Sequence, residues 1–420
     1  MKKAFAFLTV AIMLISALAA CGAAEATCPE GDICVTVGKD EPIRIAYMMV
    51  VSGADATLGE DTRRGVELAI DYLDGKYDEV KGTVLDHQIE LVGEDTLCNA
   101  EGGQTAATKL SADQKLVAVV GTSCSSEARA ALPIMCAQKI PMISASNTAP
   151  DLTADDRPAD YACYMRTAHN DLVQGKAMAQ FAWEKGYKKA ATCHDGSLYA
   201  DKLQQVFAEE FKKLGGTITA QEAVAPTDTD MKPMLTRVAS TGPEFFYYPI
   251  FIAAGAQITS QAKQVPGFEN VQLAGADGIF SPDFVRAAGD AMLGFNWSSP
   301  DFSAFGGGYA DFLTAHETIY GIKTTAPFHA HAFDGANIIF ESIKKVAKET
   351  KDGGLLIPRQ ALHDEMAATK NFKGLTGNLT CTATGDCADP KIAVYEGMSS
   401  DPATWNPGAA ADSNPKKIWP

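Results

Sequence analysis

The chain has 420 residues, 46% of them hydrophobic, which is long enough for two substantial cores. Its 36 basic and 52 acidic residues give a net charge of −16 with no basic cluster, which excludes nucleic acid as a partner. An ordinary apolar fraction without long low-complexity tracts excludes a disordered chain.

Lys2 and Lys3 precede an uncharged, mostly apolar stretch, Ala4 to Ala20, that ends Leu18-Ala19-Ala20-Cys21. A basic start, an apolar run and small residues before a cut site describe an export signal. Cysteine directly after Leu-Ala-Ala resembles the bacterial lipobox, where the thiol is lipidated and the chain is cleaved just before it. Residues 1–20 are thus expected to be a lipoprotein signal peptide, Cys21 the lipid-bearing N-terminus and residues 21–42 a polar tether. The competing reading, a transmembrane anchor, asks for more length than this stretch comfortably supplies.

From residue 43 onward, apolar β-branched runs alternate with helical patterns. Strands are predicted at Ile43–Val51, Ile89–Gly93, Leu116–Gly121 and Pro141–Ser144, with helices at Gly59–Leu73, Ala100–Ser111 and Ser126–Gln138 between them. After Arg166 the pattern restarts. Helices Leu172–Lys185, Leu198–Leu214, Met231–Ala239 and Ala254–Gln264 alternate with strands Ala190–His194, Thr217–Ala225, Phe245–Phe251 and Val271–Gly275. Helices near Phe302–Tyr320, Ala332–Lys348 and Arg359–Thr369 follow and are expected to return to the first lobe. Repeated βαβ units imply parallel sheets between helix layers, so the expected fold is α/β with two Rossmann-like lobes. The expected boundaries are 43–167 plus 297–375 for the first lobe, 168–296 plus 376–400 for the second, and an irregular tail over 401–420.

Export makes paired thiols the rule. Cys28 with Cys34 and Cys381 with Cys387 each bracket a short turn, and closeness alone suggests those two pairs. Zinc is the weaker reading, since no Cys-x-x-Cys occurs and no histidine neighbours these pairs. Cys193, in the apolar run Ala190-Ala191-Thr192-Cys193, is the candidate unpaired buried thiol. A dyad with His194 is disfavoured because strand alternation points the two side chains apart.

Ligands of open parallel sheets bind beyond the carboxyl ends of strands, where helix N-termini present free N–H groups. Three loops qualify: Gly121–Glu127, Ser144–Pro150 and Gly275–Gly278. Donors for a carboxylate in the first two, and the acid Asp277 in the third, would suit a zwitterion. The plainer reading is that Ser125 and Thr148 are helix caps and Asp277 a turn residue.

The chain resembles the leucine/isoleucine/valine-binding family of ABC transporter substrate-binding proteins, with the type I periplasmic-binding-protein fold. The resemblance rests on Ser52-Gly53, the turn from Asp95 to Cys98, Gly121 to Ser126, Ile143 to Thr153, Met165-Arg166-Thr167-Ala168 and Gln174-Gly175. It continues through His194-Asp195 with Tyr199, Phe246-Tyr247-Tyr248 and Gly289-Asp290, and covers roughly residues 43–400. It implies a disulfide between Cys98 and Cys124, a carboxylate-binding Ser125, head-group contacts from Ser146 and Thr148, an ammonium-pairing Asp277 and a closing Tyr199. Leu58 stands where an aromatic residue often lines the side-chain pocket, Phe251 where tyrosine is common, and Asp277 where the amino-acid binders typically carry Glu. Cys136 with Cys163 adds a pair beyond the basic family pattern.

The implied protein is an extracytoplasmic, lipid-anchored binder that captures an amino acid by hinge closure and delivers it to an ABC permease with its ATPase. No cofactor or metal is expected. An enzyme is disfavoured, because no Gly-x-Ser-x-Gly, phosphate-binding Gly-x-x-x-x-Gly-Lys or His-Glu-x-x-His occurs. His329 and His331 are read as the start of a helix with ordinary packing rather than as a chelate. A short amide, urea or aromatic acid as cargo, or a sensing role on the same fold, are the alternatives.

Overall fold

A computed structural model describes residues 26–78 and 81–420. The expected signal peptide, the expected lipid-bearing Cys21 and the first part of the expected tether lie outside the described residues.

Two sheets organise the chain. The first has six strands in the order Thr83–Val84, His87–Asp95, Ile43–Met49, Leu116–Gly121, Met142–Ser144, Tyr164–Arg166. All neighbours run parallel except the first two, which form an antiparallel edge. Leu116–Gly121 is buried at every residue, as a central strand covered on both faces must be. The second sheet has seven strands in the order Lys416–Trp419, Ile392–Glu396, Asn296–Pro300, Gln272–Gly275, Phe245–Tyr247, Lys189–His194, Thr217–Ala223. Its last five are parallel, and the first two join antiparallel.

Three boundaries differ from the sequence reading. Residues 401–420 are not an irregular tail: Lys416–Trp419 adds an edge strand to the second sheet, and the Trp419 indole N–H donates to Glu184 at 2.7 Å. The proline-rich composition concealed this, because a four-residue edge strand needs only one partner. The tether also ends early, since Cys34–Val37 pairs antiparallel with Leu355–Pro358 on the first lobe. Finally, Asn296–Pro300 belongs entirely to the second sheet, so the crossing back falls after residue 300 and not at 297.

Helix starts differ from the periodicity in both directions, while Ala100–Ser111 begins and ends where predicted. Ala56–Asp71 begins before Gly59, whose hydrogen lies so close to the Val50 carbonyl that a Cβ would sit 1.8 Å from its oxygen. The stretch 302–320 is a short 3-10 turn followed by the helix Tyr309–Tyr320, and the next helix begins at His329.

Four disulfides join Cys28–Cys34, Cys98–Cys124, Cys136–Cys163 and Cys381–Cys387, while Cys193 is free and buried. Burial pushes the Cys193 thiol well above its ordinary range, which leaves it inert. The Cys381–Cys387 loop braces a crossover between the lobes. Its Asp386 meets Arg166, whose fully buried guanidinium also donates to the carbonyls of Asn147 (3.1 Å) and Ala149 (2.8 Å) and to the Thr153 hydroxyl (2.6 Å). Among the described residues, no helix is long and apolar enough to cross a membrane.

Candidate functional site

The lobes meet along the carboxyl ends of both sheets, where several bonds cross between them. Ser126 Oγ accepts from the Leu198 N–H at 3.0 Å, and Asp55 Oδ1 from the Ile252 N–H at 3.2 Å. Lys202 pairs with Asp151 at 3.2 Å, and the Thr57 hydroxyl donates to Asp283.

Between these contacts lies a cavity of about 10 Å³, lined by Leu58, Ser125, Ser146, Tyr199, Phe251 and Asp277 together with Ser123, Cys124, Gly278 and Phe328. That is room for about one water molecule. Six of the seven residues singled out in the sequence therefore share one wall-to-wall space. The seventh, Thr148, is buried and is not part of that lining.

The first-lobe wall is built by two strand-to-helix loops. After Leu116–Gly121, whose following peptide Gly121–Thr122 is cis, the helix Ser125–Ala137 starts at the cavity. Cys124, not Ser125, is its N-cap, and Glu127 reaches back to accept from the Cys124 N–H at 2.7 Å. Burial pushes the Glu127 carboxyl up to about 7 against the pull of those hydrogen bonds. Cys98, Cys124 and Glu127 put possible metal ligands close together, but both sulfurs are spent in the disulfide. Ser125 Oγ accepts from the Ala149 N–H at 3.3 Å, and Ser146 Oγ donates to the Ser123 carbonyl at 2.8 Å, so each loop steadies the other.

The second-lobe wall carries the acid. Asp277 opens a 3-10 turn at the end of Gln272–Gly275 and is 3% exposed. Its Oδ1 accepts the Tyr199 hydroxyl at 2.6 Å, and Tyr199 in turn accepts from the Gly278 N–H at 3.1 Å. A side chain at 278 would bring a Cβ to 2.9 Å from the Tyr199 ring, so glycine is required for this approach. Burial, reinforced by the neighbouring Asp277 charge, pushes the Tyr199 phenol well above its ordinary range, so it stays a donor.

Sequence reasoning missed two buried groups behind this wall. His169 Nε2 lies 2.6 Å from Gln174 Oε1 and 3.3 Å from Asp277 Oδ2, an oxygen without a hydrogen-bond partner. Asp171 is fully buried; burial first, and the Asp277 charge second, push its carboxyl well above the ordinary range. Both sit between Thr167-Ala168 and Gln174-Gly175, so the resemblance bracketed them without singling them out. Phe328 was missed too, because it precedes its helix as an isolated aromatic with no periodic partner.

The chain matches the periplasmic binding protein family over residues 42–401 and belongs to it. It is 24% identical over 355 residues to a Leu/Ile/Val-binding protein homolog 3 from Brucella melitensis, covering 84% of this chain and 91% of that one. It is 25% identical to a leucine-, isoleucine-, valine-, threonine-, and alanine-binding protein from Pseudomonas aeruginosa, covering 85% and 90%. Among solved structures, a branched-chain amino acid transporter substrate binding protein from Streptococcus pneumoniae in complex with isoleucine superposes with TM-score 0.73 at 23% identity, covering 90% and 100%. A solute binding protein from R. palustris in complex with benzoate superposes with TM-score 0.70 at 20% identity, covering 90% and 95%. These likenesses establish the α/β fold of a type I periplasmic binding protein.

Proposed function

We propose that the protein is a solute-binding component of an ABC importer that captures a branched-chain-like amino acid between its two lobes. The carrying observation is the Asp277 carboxylate, buried and with one oxygen unspent, facing a wall of serines at a helix N-terminus. In this reading Ser125 and the adjacent N–H groups receive the ligand carboxylate, Ser146 and Thr148 meet the head group, and Asp277 receives the ammonium. Leu58, Phe251 and Phe328 would then cover the side chain. Burying both ends of a zwitterion is costly unless each is hydrogen-bonded, and this donor-and-acid pairing meets that need.

A cavity of about 10 Å³ cannot admit an amino acid with the lobes in contact, so entry requires them to part and capture requires them to close. The periplasmic binding protein family and the transporter named for the Streptococcus pneumoniae structure support an extracytoplasmic location and a transport role, in which a permease with its ATPase would receive the solute. Cys21 would supply the lipid anchor. The protein acts as a binder rather than an enzyme in this reading.

A thermal-shift and calorimetry screen of amino acids, short amides, urea and aromatic acids tests it. Leucine, isoleucine or valine should raise the melting temperature and bind one per chain. Stabilisation by an aromatic acid alone, as the benzoate complex of the R. palustris protein suggests, would replace the amino acid as cargo.

A further inference from the structure

The described residues cross between the lobes three times, through 167–170, 301–308 and 380–391. All three crossings border one small cavity of about 10 Å³, room for a single water molecule. Thr167 and His169 come from the first crossing, Phe305 from the second, Asp389 and Lys391 from the third. Hinges change shape at a few such segments, so a space walled by all three is tied to the angle between the lobes.

His169, 2% exposed, joins this cavity to the cleft. Its Nε2 lies 2.6 Å from Gln174 Oε1 and 3.3 Å from Asp277 Oδ2. The Gln174 amide is fixed by its own N–H, which donates to the Ser298 carbonyl at 3.1 Å, so its oxygen is the atom that faces the ring. Nε2 therefore meets two acceptors and carries a proton whether or not the ring is charged. The ring also stacks on Phe328, a cleft-lining residue, with centroids 6.0 Å apart.

The other ring nitrogen, Nδ1, is buried and has no hydrogen-bond partner among the described residues. Neither Gln174 nor Asp277 borders the crossing cavity, so the edge of the ring turned to it is the one that carries Nδ1. Leaving a buried polar atom unpaired is costly. One water answers it in either charge state, by donating to a bare Nδ1 or accepting from a protonated one. Thr167 offers that water a second contact: its hydroxyl donates to the His331 carbonyl at 2.7 Å, which leaves its oxygen as an acceptor. Thr376 borders the same space with a further hydroxyl, and two to four polar partners are what a buried water needs.

We propose that His169 is a positioning residue for solute capture, seated at the crossings by a buried water on Nδ1 and holding Asp277 through its Nε2–H, a role that rests on Asp277 being the acid that meets the solute. The water fixes the rotation of the ring, and the ring fixes where its N–H points. Because the crossings shift when the lobes part or close, the same motion resets the donor at Asp277 Oδ2. Alignment of the acid and closure of the lobes then favour one another.

The test uses the full chain with L-leucine as probe. His169→Gln keeps an N–H near the place of Nε2 and should bind within about two-fold of the unaltered chain in calorimetry, while His169→Leu, which keeps none, should bind about ten-fold more weakly. In an Asp277→Ala background, His169→Leu should cost nothing further. Equal losses from both replacements, or a further loss of about ten-fold once the acid is gone, overturn the positioning role. Nitrogen NMR of the imidazoles, with His169 assigned from the spectrum of His169→Gln, should show a hydrogen-bonded Nδ1 in the free chain that shifts when L-leucine is added. An Nδ1 free of any hydrogen bond, or one that bound L-leucine leaves unmoved, overturns the seat at the crossings. Failure of L-leucine to bind the unaltered chain would count against the cargo, and the free-chain Nδ1 signal would still decide the water site.

Discussion

The Tyr199 hydroxyl donates to Asp277 Oδ1 at 2.6 Å, which turns the other oxygen of that buried carboxylate toward His169, 3.3 Å away. The acid is thus oriented from two sides before any solute arrives, and orientation made in advance is not charged against binding. Asp277→Ala should weaken binding of the captured amino acid at least about 30-fold, since truncating one member of a desolvated charge pair costs about 2–5 kcal/mol. Tyr199→Phe, which removes the hydrogen bond to Asp277 and the one from the Gly278 N–H but leaves the acid, should cost less, about ten-fold. Calorimetry on both variants checks the order; equal effects would contradict it.

Closure should be pH-dependent through Asp55. This half-buried carboxyl accepts the Ile252 N–H across the lobes, and its value rises from 3.8 to about 6 because of burial, with the Asp195 charge adding to the effect. A raised value means the closed form holds the proton more tightly. Below about 3.8 the group is protonated in both forms; above about 6 it is ionised in both, and closing carries the full cost. Affinity should therefore fall as pH rises from 4 to 6 and level off above that. Asp55→Asn should flatten this slope in a dissociation-constant series, and an unchanged slope would assign the titration elsewhere.

Removing the Cys98–Cys124 bond should loosen the first-lobe wall. The bond closes a loop with a sequence separation of 26, and Cys124 packs against Val50, Leu58 and Phe328. Cys98→Ser with Cys124→Ser should cost about 3 kcal/mol in urea denaturation. Affinity should drop with it, because the bond holds Cys124, which lines the cavity beside Ser125.

Arg166→Met should destabilise by about 2–4 kcal/mol, mostly because buried carbonyl oxygens are left without a donor while Asp386, partly exposed, keeps Thr153 and Asn170. It abandons Asp386 and the Asn147 and Ala149 carbonyls at once. Calorimetric unfolding of the variant checks this; a loss under about 1 kcal/mol would mean water replaces the guanidinium.

The alternation of apolar strands and helical stripes made the two α/β lobes legible along the chain, because burial between helix layers leaves a direct mark on composition. The loops that line the cavity were legible for a related reason, since Ser125 and Asp277 each follow a strand and strand ends are where such sheets converge, whereas Ser146, Tyr199, Leu58 and Phe251 were named only through the family resemblance. His169 and Asp171 left no such mark. Their importance lies in which groups they face across the lobes, and neither distance nor desolvation is written in local spacing.

By itself, the sequence determined the α/β class, the serine-bearing loops at strand ends and the acid at position 277. Periodicity and strand-to-helix order are local, and a fold of this kind follows from repeating them. Only the tertiary structure decided that residues 401–420 complete a sheet, that Tyr199 aims Asp277, and that Asp61, His329 and Tyr309 form one chain of hydrogen bonds. Asp61 and His329 are more than two hundred residues apart, and only the packing of the helix Ala56–Asp71 on the helix His329–Val346 brings a buried carboxylate to an imidazole.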